Sequence, residues 1–203
     1  MPTPEPSPSG LPTDALAHGA RAGRPGHFDE LWRRVAPAVY SWASLHLRPA
    51  LRARLDPEDV TQEVACRAWA GFATWNEAQG PFRGWIFGIA RNVLREALRR
   101  LASEPAARGA SLLTTGHLAA LPDTATGVTR AVARDEGLRR FLGRVDALPD
   151  DERQLLLFRG LEGLTHAEVA TLLSASPDAV AKRWQRLCDR LRNEPRWADI
   201  IAA

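Results

Sequence analysis

Lys182, Gln185 and Arg186 stand three and four residues apart, a spacing that sets side chains on one face of a helix. Lysine and arginine pair with guanine in the major groove and glutamine with adenine, while further basic groups hold phosphates. Arg183 and Arg190 suit that second role. The chemistry on offer is therefore recognition of duplex nucleic acid. The helix that must carry it is signalled by Ser176 as a cap and Pro177 at the first position. Val180, Trp184, Leu187 and Leu191 mark its buried side, and Asp178, Lys182, Gln185, Arg186 and Arg190 face out. Upstream, Thr165-His-Ala-Glu168 is a capping box opening a short helix with Val169, Leu172 and Leu173, and Ser174-Ala-Ser176 is a tight turn. A capped short helix, a turn and a longer basic helix form the layout of a helix-turn-helix. The plainer reading is a solvated basic face on an ordinary helical hairpin. His166, second in its helix, reads as a surface polar residue rather than a metal ligand.

A second constellation lies between Asp56 and Arg100. Asp56 is a natural cap, Pro57 suits the first helical position, and Asp59 sits where a capping-box carboxylate belongs. Val60, Val64, Ala65, Ala68 and Phe72 then share one arc, and Asp59, Gln62 and Glu63 the other. A following helix, 82–101, has the opposite charge: Trp85, Ile86, Ile89, Val93, Ala97 and Leu101 line its apolar side. Arg91, Asn92, Arg95 and Arg99 line the other, in the stripe of Gly84 and Gly88, whose spacing suggests close approach of another backbone. Between the helices runs an aromatic, amide-bearing loop, Ala73-Thr-Trp-Asn-Glu-Ala-Gln-Gly-Pro81. An acidic face, this loop and an arginine face suit a unit that grips a protein on one side and nucleic acid on the other.

The 203 residues leave room for one medium domain or two small ones, and a net charge of +3 permits nucleic-acid binding without demanding it. Cys66 and Cys188, far apart and on helical patterns, read as free thiols of a reducing compartment, not as a disulfide framework or zinc site. No apolar run has the length to cross a bilayer, and the N-terminus lacks the basic and apolar regions of a signal peptide, so a cytoplasmic protein is expected.

In order, residues 1–26 hold six prolines among Ser, Gly and Ala and are expected to be a disordered tail. Helical spacing begins at Phe28 and continues through Leu31, Val35, Val39 and Trp42, with Pro37 expected to kink or divide the helix. A short helix is expected over 49–55, and the first all-α unit spans 27–101. Residues 102–133, rich in Ala, Gly, Ser and Thr, read as a linker with local helix near Leu112 to Leu121. The second unit, 134–194, contains a helix with Leu138, Phe141, Leu142, Val145 and Leu148 stopped at Pro149. The next, capped by Asp150 or Asp151, ends by Gly160, and Gly163 marks a turn. Residues 195–203 read as a short tail.

Asp56-Pro-Glu-Asp-Val-Thr-Gln-Glu-Val-Ala-Cys-Arg-Ala-Trp69 and Phe82-Arg-Gly-Trp-Ile-Phe-Gly-Ile-Ala-Arg-Asn92 resemble region 2 of the extracytoplasmic-function (ECF) sigma factors of bacterial RNA polymerase. Leu148-Pro-Asp-Asp-Glu-Arg153, Leu161-Glu-Gly-Leu-Thr-His-Ala-Glu-Val-Ala170 and Asp178-Ala-Val-Ala-Lys-Arg-Trp-Gln-Arg186 resemble region 4. The resemblance implies two small helical domains on a flexible linker. It implies docking of Asp59, Gln62 and Glu63 on the clamp helices of the polymerase β′ subunit, and of the second domain on the β flap. It implies contact of Trp75, Asn76, Gln79, Arg83, Arg91, Asn92 and Arg95 with the promoter −10 element, including a base flipped from the opened strand. Region 4 would read the −35 element through Lys182, Arg183, Gln185, Arg186 and Arg190. The family's usual Gly-Thr-Val before the recognition helix is Asp178-Ala-Val here, and Ser174 stands where glycine is common.

The expected function is promoter-specific initiation together with core polymerase, with no cofactor, no metal and no catalysis by the chain itself, and with room for an anti-sigma partner. A stand-alone helix-turn-helix regulator is the rival, but it leaves the arc of Asp59, Gln62 and Glu63 without a role. An enzyme is a weaker rival: no paired His and carboxylate, glycine-rich phosphate loop or nucleophile motif supports one.

Overall fold

The computed structural model describes residues 8–47, 49–103 and 121–201, and no strand occurs among them. Helix α1 (Thr13–Arg21) lies where a disordered tail is expected. Proline content is a poor guide here because the flanking prolines, Pro12 and Pro25, fall outside the helix, and Pro12 takes the capping position. Leu16 and Ala17 are fully buried, and Arg34 donates to the carbonyls of Leu11 (2.6 Å) and Ser9 (2.8 Å), tying the segment down.

Helix α2 (His27–His46) is the hub: Phe28, Leu31, Val35, Val39 and Trp42 are each at most 4% exposed. Pro37 does not divide it. A proline in a helix forfeits one backbone bond, and here burial of Val35, Ala36, Ala38 and Val39 on either side of it offsets that loss. Helix α3 (Pro49–Arg52) and helix α4 (Pro57–Gly71) follow. Asp56 caps α4 by accepting from Glu58 N at 2.7 Å, and Val60, Val64, Ala65 and Ala68 are fully buried. Two 3₁₀ turns, Phe72–Thr74 and Glu77–Gln79, lead into α5 (Phe82–Ser103). The expected close approach of a backbone to Gly84 and Gly88 is not found among the described residues. Only Pro81 Cγ comes within 4 Å of a Cβ placed on Gly84, at 3.9 Å, and nothing does so at Gly88.

Helix α6 (Asp123–Arg134) occupies part of the expected linker; the helix expected near Leu112 lies outside the described residues up to Leu121. Its small residues disguise it in sequence but let it lie against α2 and α4. Ala125 and Thr129 are fully buried, and Trp32 Nε1 donates to Thr129 Oγ1 at 3.2 Å. Then come α7 (Glu136–Asp146) and α8 (Asp150–Leu155), which widens into a π-helical turn at Leu156–Leu161. Pro149, not Asp150 or Asp151, holds the capping position of α8. Helices α9 (His166–Leu172) and α10 (Pro177–Leu191) form the helix-turn-helix. Both expected caps form: Glu168 N donates to Thr165 Oγ1 at 3.2 Å while Thr165 N donates to Glu168 Oε2 at 2.7 Å, and Ala179 N donates to Ser176 Oγ at 3.2 Å. Ser174 turns the chain at φ +52°, the left-handed region that explains glycine's usual place there. The expected C-terminal tail instead contains α11 (Trp197–Ile201), with Ile200 1% exposed. No helix among the described residues is long and apolar enough to cross a membrane.

Candidate nucleic-acid interface

The α10 face is presented as its pattern requires. Lys182, Arg183, Gln185, Arg186 and Arg190 are all exposed, while Val180, Leu187 and Leu191 anchor the helix. Arg183 lies 3.8 Å from Asp151 and Arg190 pairs with Glu152, both on α8, so these two arginines brace the base of the face. Gln185 donates weakly to Asp189 at 3.3 Å. Trp184 is half-buried, packed against the core and tilted by 37° against Trp197, with ring centroids 5.9 Å apart. His166 is half-buried and its Nε2 lacks a partner, and no metal-ligating cluster occurs among the described residues.

The loop between α4 and α5 forms a pocket of about 310 Å³ lined by Trp75, Asn76, Gln79, Gly80, Pro81, Gly84 and Trp85. Its shape follows from Asn76 Oδ1 accepting from Ala78 N at 3.1 Å, and from Gly80, whose φ of +139° excludes side-chain-bearing residues. Phe72, Trp75, Phe82 and Trp85 pack ring against ring behind it, with centroids 5.5–6.3 Å apart. Trp75 is expected to stack on a base, yet it is 1% exposed and serves as a wall; its indole N–H has no partner among the described residues. The half-buried Trp85, assigned by periodicity to the apolar side, is the more accessible ring, while Asn76 and Gln79 are exposed at the rim. His18 of α1 escapes the sequence reading altogether. Its ring sits edge-on to Trp75 at 5.5 Å, and its Nε2 lies 3.2 Å from Glu77 Oε2, so α1 buttresses the loop. Nothing in the sequence near His18 signals this.

The arginine face of α5 is divided. Asn92 and Arg95 are exposed and bonded to each other at 2.9 Å. Arg83 instead donates to the carbonyls of Leu161 (2.7 Å), Gly160 (3.0 Å) and Ile200 (2.9 Å), and lies over the Phe87 ring at 5.4 Å. Burial pushes its guanidinium down to about 10, so it is still a cation at neutral pH. Arg91 pairs with Glu162, a carboxylate 6% exposed that also accepts from Trp42 Nε1 at 2.8 Å.

The acidic arc of α4 also separates. Asp59 is exposed at the helix start, where partial burial and the charge of Asp56 raise its pKa. Gln62 is half-buried and donates to Thr126 Oγ1 at 2.8 Å. Glu63 is 2% exposed and paired with Arg67 at 2.7 Å, and Arg67 reaches on to Glu96 of α5 at 2.7 Å. Glu63 is thus an internal strut, not surface. Cys66, three residues further along α4, is a free buried thiol pushed up to about 11 by burial; Cys188 is free and half-buried.

Residues 31–104 match the model of Sigma-70 region 2 and residues 138–191 that of Sigma-70 region 4. The chain is 30% identical over 182 residues to an ECF RNA polymerase sigma factor SigK of Mycobacterium bovis strain BCG, covering 89% of this chain and 91% of the relative. It is 29% identical over 181 residues to a probable RNA polymerase sigma factor RfaY of Xanthomonas campestris pv. campestris, covering 89% of this chain but 44% of that longer protein. A solved structure of CnrH in complex with the cytosolic domain of CnrY is 22% identical, with a TM-score of 0.41, over 89% of this chain and 96% of that one. The chain belongs to the ECF family of RNA polymerase sigma factors.

Proposed function

We propose that this alternative sigma factor joins core RNA polymerase and directs it to promoters by two separate contacts, one with duplex and one with opened strand. The observation that carries the reading is the pairing, in one chain, of an exposed Lys182, Gln185 and Arg186 face on α10 with the pocket rimmed by Asn76 and Gln79. The α10 face suits base edges in the major groove, with Arg183 and Arg190 at phosphates. The pocket suits one unpaired base held by ring contact with Trp85 and amide hydrogen bonds, with Trp75 as its wall. Arg83, Arg91, Asn92 and Arg95 would track the adjoining −10 strand. Asp59, with Gln62, would dock on the β′ clamp helices and the second domain on the β flap. An anti-sigma protein would act by covering these surfaces. The chain supplies recognition and melting, and core polymerase, which resides in the cytoplasm, supplies the chemistry.

The test is transcription in vitro from a promoter-fragment library by core polymerase, with and without this chain, followed by sequencing of the transcripts. Chain-dependent initiation at sites sharing two spaced elements is expected. Gln185→Ala should cost about 1–3 kcal/mol of discrimination at one −35 base pair and leave the −10 preference unchanged. Transcripts independent of the chain would sink the reading.

A further inference from the structure

Helix α1 lies before the region 2 match, yet one of its side chains reaches the pocket loop. His18 sets its ring edge-on to Trp75, the pocket wall, and its Nε2 lies 3.2 Å from Glu77 Oε2. Glu77 opens the 3₁₀ turn that runs between the rim residues Asn76 and Gln79. The ring's other nitrogen decides which protons it carries. Nδ1 is 2.8 Å from Asp14 O, and a carbonyl only accepts, so Nδ1 holds a proton and donates it. In a neutral ring Nε2 is then bare and turns a lone pair on the Glu77 carboxylate. Only the doubly protonated imidazolium donates to Glu77 while keeping its bond to Asp14 O. Helix α1 packs on α2 and on the turn Phe72–Thr74. On α2, His27 turns its Nδ1 to Pro25 O at 3.2 Å, and Glu30 and Arg34 pair with each other at 3.1 Å; the turn carries no charged residue. Asp14 and Arg21 are the charged neighbours on α1 itself. Among the described residues, Glu77 is the one carboxylate at ion-pair distance from His18.

We propose that His18 is a positioning residue for the strand pocket: as an imidazolium it holds Glu77 against α1, so that capture of the unpaired base strengthens as pH falls. The inference deepens the −10 reading and rests on it. Two effects act together. Pinning Glu77 orders the turn between Asn76 and Gln79 before a base arrives, which lowers the ordering cost of binding. It also pairs a carboxylate that would otherwise repel the phosphates of the strand. The sign follows from the donor: the bond is present while the ring is doubly protonated and is lost as rising pH removes the second proton. Both side chains are more than half exposed, 53% for His18 and 58% for Glu77, so solvent screens the pair and keeps its effect modest.

The experiment uses holoenzyme reconstituted from core polymerase and the full chain, on a promoter taken from its own chain-dependent transcripts. A rhodamine-labelled single strand carrying that promoter's −10 sequence is titrated with wild type, His18→Ala and Glu77→Gln. Abasic replacement, one position at a time, marks the captured base by lost affinity. Dividing each affinity by that of His18→Ala at the same pH cancels every effect the forms share, His27 included. The wild-type ratio is expected to be about threefold near about pH 6 and to fall to about one near about pH 8. Glu77→Gln should stay about threefold across that range, because its amide donates to a neutral Nε2 and carries no charge. A purely structural His18 would lower the urea midpoint and leave the ratio flat. A ratio that does not vary with pH, or a wild-type slope in Glu77→Gln, overturns the proposal and keeps the sigma reading. Should His18→Ala fail to fold by circular dichroism, the wild type divided by Glu77→Gln decides, with the same threefold fall expected on raising the pH. Absence of chain-dependent transcripts, or an abasic scan with no sensitive −10 position, overturns both the −10 reading and this inference.

Discussion

Two carboxylates of α4 illustrate how much a single side chain's surroundings matter. Asp59 and Glu63 share an arc of the helix and differ in partner: Asp59 faces solvent, whereas Glu63 is closed in by Arg67, itself braced by Glu96. A helical wheel assigns both to the surface because it cannot know that α5 brings a second carboxylate to the same arginine. The two therefore separate docking from stability. Asp59→Lys is expected to weaken association with core polymerase in a pull-down while leaving the urea midpoint near that of the wild type. Glu63→Ala leaves Arg67 without its buried partner and should cost about 3 kcal/mol in urea unfolding. Equal loss of stability in both variants would contradict this division. Trp75 and Trp85 teach the same lesson. Sequence shows that aromatic rings gather beside Gly80 and Pro81, but which ring borders the pocket depends on the direction of the loop.

At the scale of elements, helices with caps and strong apolar spacing were legible. Asp56 and Pro57 announce α4, Thr165 and Glu168 announce α9, and Ser176 and Pro177 announce α10; each starts where these residues place it. The helices missed, α1, α6 and α11, are short or built from Ala, Gly and Thr, and they have in common that packing supplies most of their stability. The burial of α1 and α6 could not be read from residues that carry so little hydrophobic signal, whereas α11 has Trp197, Ile200 and Ile201 but is only five residues long, too short to show a period. Helix α1 provides the check. Leu16→Ala should destabilise the chain by about 3 kcal/mol, read as a drop in urea midpoint. A tail without structural role would show no change. Because His18 links this helix to Trp75 and Glu77, the same variant should also loosen the loop that frames the pocket.

For the molecule as a whole, α2 is the surface on which both family regions meet, and His46 sits at that seam. Its ring lies 4.1 Å from that of Trp42, its Nδ1 is 3.0 Å from Trp42 O, and Glu162 and Arg91 are its charged neighbours. Burial lowers its pKa below the ordinary 6.5, and this outweighs the opposing pull of Trp42 O and Glu162. A histidine depressed in the folded state binds protons more readily once unfolded, so its contribution is intact above 6.5 and is lost as pH falls through the folded value. Stability of the wild type should therefore drop on acidification from neutrality more steeply than that of His46→Gln, as urea midpoints taken across that range would show; parallel curves would refute it. The placement of Ile200 carries one more consequence, this time for how the protein is made. Its carbonyl closes on Arg83 from a helix encoded downstream of both domains, so translation delivers the restraint only after the parts it restrains. A nascent chain folds from its N-terminal side first, and while still attached to the ribosome it would pass through a stage in which Arg83 has yet to receive the Ile200 carbonyl.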